Sequence, residues 1–103
     1  MSDFVLERVG PKVKVVVGRE LSASVVPSLF ELLCAIQDDG VNDLALDFSQ
    51  TAQVDAAGLH LLLVARNSFS GDNRSLQLVR VPRDIWSLLE TLQLSKRLHA
   101  QME

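Results

Sequence analysis

What most limits the fold of this chain is a switch in hydrophobic period, from two to about 3.6, that recurs along its length. In "KVKVVV" (12–17), Val13, Val15 and Val17 alternate with Lys12, Lys14 and Val16, as in a strand with one buried and one partly wet face. From Ser24 to Gln37 the spacing becomes helical, with Val26, Leu29, Phe30, Leu33 and Ile36 or Gln37 sharing a face. The alternation then repeats. Residues 4–8 and 12–17 read as strands joined by a Gly10-Pro11 hairpin turn, 43–49 as a third strand with Leu44, Leu46 and Phe48 on one face, and 76–81 as a fourth. Helices are predicted over 24–37, 57–69 and 82–94, with "SGDNRS" (70–75) as a loop and a short final helical segment in "SKRLHAQM" (95–102). Ser22 or Ser24 is the expected cap of the first helix, and Pro27 is tolerated because it falls in the first turn.

The order β-β-α-β-α-β-α predicts an α/β fold, a mixed β-sheet of about four strands covered by about four helices with right-handed crossovers. A length of 103 residues suits a single domain, 1–103, with one core. Charge and composition then exclude several functions. The net charge is −3 and the ten Lys and Arg are scattered, so no basic patch points to nucleic acid or anionic lipid. With four Phe, one Trp and no Tyr, base stacking lacks platforms. The single Cys34 excludes an internal disulfide and fits a reducing compartment. No apolar run approaches the ~20 residues of a membrane span, and "MSDFVLERV" lacks the shape of a signal peptide. The expectation is a soluble cytoplasmic domain without membrane insertion.

Catalytic groups are scarce. Cys34, between Leu33 and Ala35 on an amphipathic helix, reads as core packing, with no helix N-terminus or basic neighbour to lower its pKa. His60 and His99 have no metal-ligand spacing. Asp38 and Asp39 read as a solvated pair before Gly40, and Gly18, Gly40 and Gly58 form no phosphate-cradling cluster. Trp86 reads as a half-buried edge of the core. No catalytic residue, metal or cofactor is expected.

One stretch remains, "VDAAGLHLLL" (54–63), where a strand passes through a polar turn into an apolar helix. Asp55 can cap that helix and favour its positive dipole end. Leu61, Leu62, Ala65 and Phe69 span one apolar arc, while Leu63 and Val64 flank His60 on the opposite face with Asn67. A helix apolar nearly all round is covered on more than one side. His60 then reads as an interface rim or a solvated residue.

Asp47 and Ser49 at a strand end, a short loop past Val54, and Asp55-Ala56-Ala57-Gly58-Leu59 opening a helix together resemble the STAS domain. This is the family of bacterial anti-sigma factor antagonists and related sulfate-transporter domains. The resemblance extends over nearly the whole chain. "GRELS" (18–22) stands where the family has G-E-L-D, and "LLETLQL" (88–94) is similar to its third-helix ending, with Gln93 where glycine is usual. In antagonists of the family, the first serine after the aspartate is phosphorylated by a partner that is both kinase and anti-sigma factor, which releases the complex. The matching position is Ala56, followed by Ala57, and neither can carry phosphate. The resemblance thus implies a docking surface without the usual switch at Asp55, Ala56, Ala57, Gly58 and Leu59, and the apolar outward face of the helix independently extends it over His60, Leu63, Val64 and Asn67. The alanines are either a good helix start or a permanently binding-competent turn. Gly58 either admits a partner's backbone or eases a crowded turn. Two further roles stay open: docking on the ATPase of a phospholipid-transporting ABC complex, and nucleotide binding, against which stands the lack of any basic residue at 54–65.

Overall fold

Gly10, with φ +61, precedes Pro11 and supplies the positive φ that a two-residue hairpin turn needs at its first central position. The turn folds β1 (Val5–Val9) antiparallel onto β2 (Lys12–Val16), with Val9 opposite Lys12. The computed structural model describes residues 4–69, 75–94, 96, 98 and 100–102. Within them follow β3 (Glu20–Leu21), α1 (Val26–Asp38), β4 (Asp43–Asp47), β5 (Gln53–Val54), α2 (Ala56–Ser68), β6 (Ser75–Val81), α3 (Arg83–Thr91) and β7 (Ala100–Met102). The main sheet runs β1-β2-β4-β6-β7, parallel after its first pair, and β3 and β5 form a separate parallel ladder.

From β2 onward each crossover steps one strand in the same direction, so right-handed connections set all three helices on one face. Burial follows that layering. Val13, Val15, Leu44, Leu46, Leu76 and Leu78 are buried on the helix side, whereas Lys14, Ala45 and Gln77 alternate with them at intermediate exposure. The buried strand residues join Leu29, Leu33 and Ile36 of α1, Leu61, Leu62 and Ala65 of α2, and Ile85 and Leu89 of α3 in one apolar cluster, with Trp86 packed half-buried at its margin.

The α/β fold expected from the sequence is present, and three details differ. The chain end predicted as a fourth helix carries β7, which pairs parallel with β6 and adds a fifth strand to the main sheet. The predicted loop at 70–74, Ser95, Arg97 and His99 lie outside the described residues. Phe30 and Cys34, read as core, are exposed, Phe30 by 47%. The buried stripe of α1 centres on Leu29, Leu33 and Ile36, and one residue of offset turns a side chain by about 100°. Neither Ser22 nor Ser24 caps α1 through its side chain. Instead the Ser22 carbonyl accepts from the N–H groups of Val25 (2.9 Å) and Val26 (3.0 Å), while its hydroxyl donates to Glu20.

Two strained residues place the ends of elements. Arg80 has φ +52 at a register shift between Leu78 and Val81. Such a bulge inserts one extra residue, so Val81 returns to the buried side and Arg80 stays outside with Val79. Gln93 has φ +57 just after α3. There the Gln93 N–H donates to the Glu90 carbonyl (3.0 Å) and the Leu94 N–H to the Leu89 carbonyl (2.8 Å), a Schellman closure whose left-handed residue is usually glycine.

Candidate functional site

The turn into α2 is held by one carboxylate. Asp55 takes an extended conformation at the N-cap, and its Oδ1 accepts from the Gly58 N–H at 2.9 Å. Its Oδ2 reaches across the fold to the Ala23 N–H at 3.1 Å, and its own N–H donates to the Leu21 carbonyl at 3.1 Å. The hydrogen bond from Gly58, then that from Ala23, hold the Asp55 carboxyl below its ordinary range. The capping role read from the sequence is therefore joined by a second one, tying the β3–α1 loop to the start of α2.

Gly58 is buried in this contact. A Cβ there would meet the Leu21 carbonyl oxygen and lie 2.8 Å from Leu21 Cγ, so the helix start sits against β3 only because position 58 has no side chain. Of the two roles open to Gly58, the crowded turn within the chain is the one the geometry exhibits. Beneath the turn, Thr51 is 3% exposed, and its hydroxyl donates to the Gly18 carbonyl at 2.9 Å. The Ala52 N–H donates to the Arg19 carbonyl at 2.7 Å, continuing the β3–β5 ladder.

The remaining sequence-read residues divide by exposure. Asp55, Ala56, His60 and Asn67 are exposed, and Ala57 and Val64 are half-buried. Leu59 and Leu63 are also half-buried but pack against the core. Ala56, His60 and Asn67 stand at i, i+4 and i+11, so they line one exposed stripe from the turn along the outer face of α2, with Leu63 at i+7 half-buried and packed against the core beneath it. Sequence reasoning did not anticipate the neighbours across the turn. Ser22, Ala52, Gln53 and Val54 on one side and Asp84, Ile85 and Leu88 of α3 on the other line a cleft that ends at Asp55. Only the "GRELS" match signalled that residues 18–22 belong beside the turn.

The conspicuous polar group outside the turn is Asp47, at the end of β4 and 1% exposed. Its Oδ1 accepts from the Ser49 N–H at 2.8 Å, and its Oδ2 lies 3.5 Å from Lys14 Nζ and 3.8 Å from Arg80 Nε. Burial pushes this carboxyl up, but the Ser49 hydrogen bonds and the two cations outweigh it and hold it below its ordinary range. Among the described residues no group of three His, Cys, Asp or Glu could hold a metal ion, and no helix is long and apolar enough to cross a membrane.

Residues 4–100 match the family model described as "Mlab, STAS domain". The anti-sigma-B factor antagonist of Staphylococcus aureus is 28% identical over 86 residues, covering 84% of this chain and 80% of its own. A putative anti-sigma factor antagonist from Thermotoga maritima superposes with a TM-score of 0.86 at 17% identity, over 94% of this chain and 84% of that one. An anti-sigma factor antagonist from Mycobacterium paratuberculosis gives 0.82 at 18% identity, over 94% and 82%.

Proposed function

The chain belongs to the STAS domain family, and from that premise we propose that it is a non-enzymatic interaction module of the anti-sigma factor antagonist type. It docks a cytoplasmic signalling partner, an anti-sigma factor or kinase, through the 55–58 turn and the outer stripe of α2, and phosphorylation at the turn does not switch it. The observation that carries this reading is the turn itself. Asp55 fixes its backbone with hydrogen bonds to both flanking elements, yet the exposed residue beside it is Ala56, followed by Ala57. A pre-organised turn offers a partner a surface without an ordering cost, and alanine at both positions leaves no hydroxyl for a kinase.

A second reading is favoured by those same alanines. Docking that needs no reversible release suits the STAS subunit of a phospholipid-transporting ABC complex, where the occupant would be the ATPase. Affinity capture from the source cells separates the two, since either an anti-sigma factor or kinase, or an ABC ATPase, should be retained. Retention must be lost with the Ala56→Asp bait and kept with Ala56→Ser. Retention that is indifferent to both substitutions counts against this surface under either reading.

A further inference from the structure

The face of the main sheet turned away from the helices carries a hollow of about 480 Å³ over Ala45 of β4. The register neighbours of Ala45 on that face are Lys14 of β2 and Gln77 of β6. Both long side chains are drawn aside. Lys14 Nζ lies 3.5 Å from Asp47 Oδ2 and 3.7 Å from Glu7 Oε2, and Gln77 Oε1 accepts from Gln101 Nε2 at 3.1 Å. Bonds made elsewhere thus hold the space above the Ala45 methyl group open. Two residues nearer the start of the strands, Lys12, Asp43 and Ser75 stand side by side on the same face and close the end of the hollow. The Ser75 hydroxyl donates to Asp43 Oδ1 at 2.6 Å. Asp43 Oδ2 and the Lys12 ammonium have no partner among the described residues, although the register sets the two residues directly across from each other.

We propose that this hollow binds a free α-amino acid. The two unpartnered charges at its end decide the chemistry of the ligand. A simple anion drawn to Lys12 meets the Asp43 carboxylate, and a simple cation drawn to Asp43 meets the Lys12 ammonium, so repulsion offsets attraction in both cases. A zwitterion answers both. Its carboxylate takes Lys12 and its ammonium takes Asp43 Oδ2, each through a charge-assisted hydrogen bond. With its oxygen held by Gln101, the Gln77 amide still has N–H groups to offer the same carboxylate. The side chain of the ligand then lies on the Ala45 methyl group between the stems of Lys14 and Gln77, apolar surface beside a few fixed polar groups, as small-molecule sites generally have. Because Lys14 and Gln77 are already held aside, little ordering is left to oppose binding. None of these residues belongs to the 55–58 turn or to α2, so the proposal does not rest on the docking role.

Amide NMR of the isotope-labelled chain, titrated with leucine to millimolar concentration, tests it. Leucine should give saturable shifts at Asp43, Ala45 and Gln77. Leucinamide, which lacks the carboxylate, and N-acetylleucine, which lacks the ammonium, should each bind about tenfold more weakly or worse. Lys12→Gln and Asp43→Asn should weaken leucine by a similar factor. Ala45→Phe, which fills the hollow from an uncovered face, should abolish the shifts while its circular dichroism spectrum and melting temperature hardly change. Ala56→Asp should bind leucine as the parent does, which separates this site from the docking turn. The proposal is overturned if leucine gives no saturable shift at these positions. It is overturned equally if leucinamide or N-acetylleucine matches leucine, or if folded Lys12→Gln and Asp43→Asn keep the parent's affinity.

Discussion

Asp55 and Gly58 show how a few atoms shape the turn, and each can be tested alone. Gly58→Ala forces a Cβ against the Leu21 carbonyl and to 2.8 Å from Leu21 Cγ. Overpacking of this kind costs about 1–3 kcal/mol, so the variant should melt roughly 5 °C or more below the parent. An unchanged melting temperature would mean that α2 does not start in contact with β3. Thr51→Val keeps the shape but leaves the buried Gly18 carbonyl without the 2.9 Å hydroxyl donor, which should cost about 1–3 kcal/mol in urea unfolding. The buried hydroxyl also makes Thr51 a poor target for phosphate in the folded chain. Acid behaviour follows from Asp47 and Asp55, both held below the ordinary carboxyl range. Each binds a proton less readily folded than unfolded, so its stabilisation is complete above the unfolded pKa of about 3.9 and is lost as pH falls through the lowered folded value. Thermal melts should therefore decline below about pH 4, and Asp47→Asn with Asp55→Asn should flatten that decline.

At the scale of elements, α3 ends on a residue that its own geometry disfavours. Gln93 sits at φ +57 in a Schellman closure, where a side chain costs about 1–2 kcal/mol and glycine only its added chain entropy. Gln93→Gly should stabilise by about 0.5–1 kcal/mol, seen as a higher urea midpoint with unchanged slope. A lower midpoint would contradict the account. On α2, the sequence read Leu63 and Val64 as lying opposite the core, but both are half-buried and Leu63 packs against it. Val64→Lys should accordingly cost about 1 kcal/mol in a thermal melt, since the lysine stem can lie along the surface with its charge in water. Partner binding should weaken far more, because docking would bury that charge unpaired. The long elements were legible because Val13-Val15-Val17 and Ile85-Leu88-Leu89-Leu92 repeat their period several times. β3 and β5, two residues each, are too short to show a period, and β7 exists through its pairing with β6, which no local pattern in "SKRLHAQM" records.

Across the whole molecule, the sequence disclosed the layers better than the surroundings of the site. Strand and helix order predicted a sheet covered by helices, and right-handed crossovers then confine the helices to one side. The turn was legible from Asp55-Ala56-Ala57-Gly58-Leu59 because capping and glycine chemistry are local. The reach of Asp55 to Ala23, 32 positions away, and the cleft shared with Asp84 and Leu88 were not, because they depend on how separate elements meet. If partners dock on this turn, a titration of Ala56→Asp and Ala56→Ser against the captured partner, beside thermal melts, reads it out. Ala56 is exposed at the first position of α2. There an added carboxylate gains about 0.3–1 kcal/mol from the helix dipole and loses a similar amount to Asp55, so the melting temperature should hardly move. In a docked, water-excluded interface the same carboxylate is desolvated without a partner cation, a cost of several kcal/mol. Ala56→Asp should abolish the complex while the fold persists, and Ala56→Ser should bind as the parent does. Equal affinity for aspartate and alanine at position 56 would contradict it.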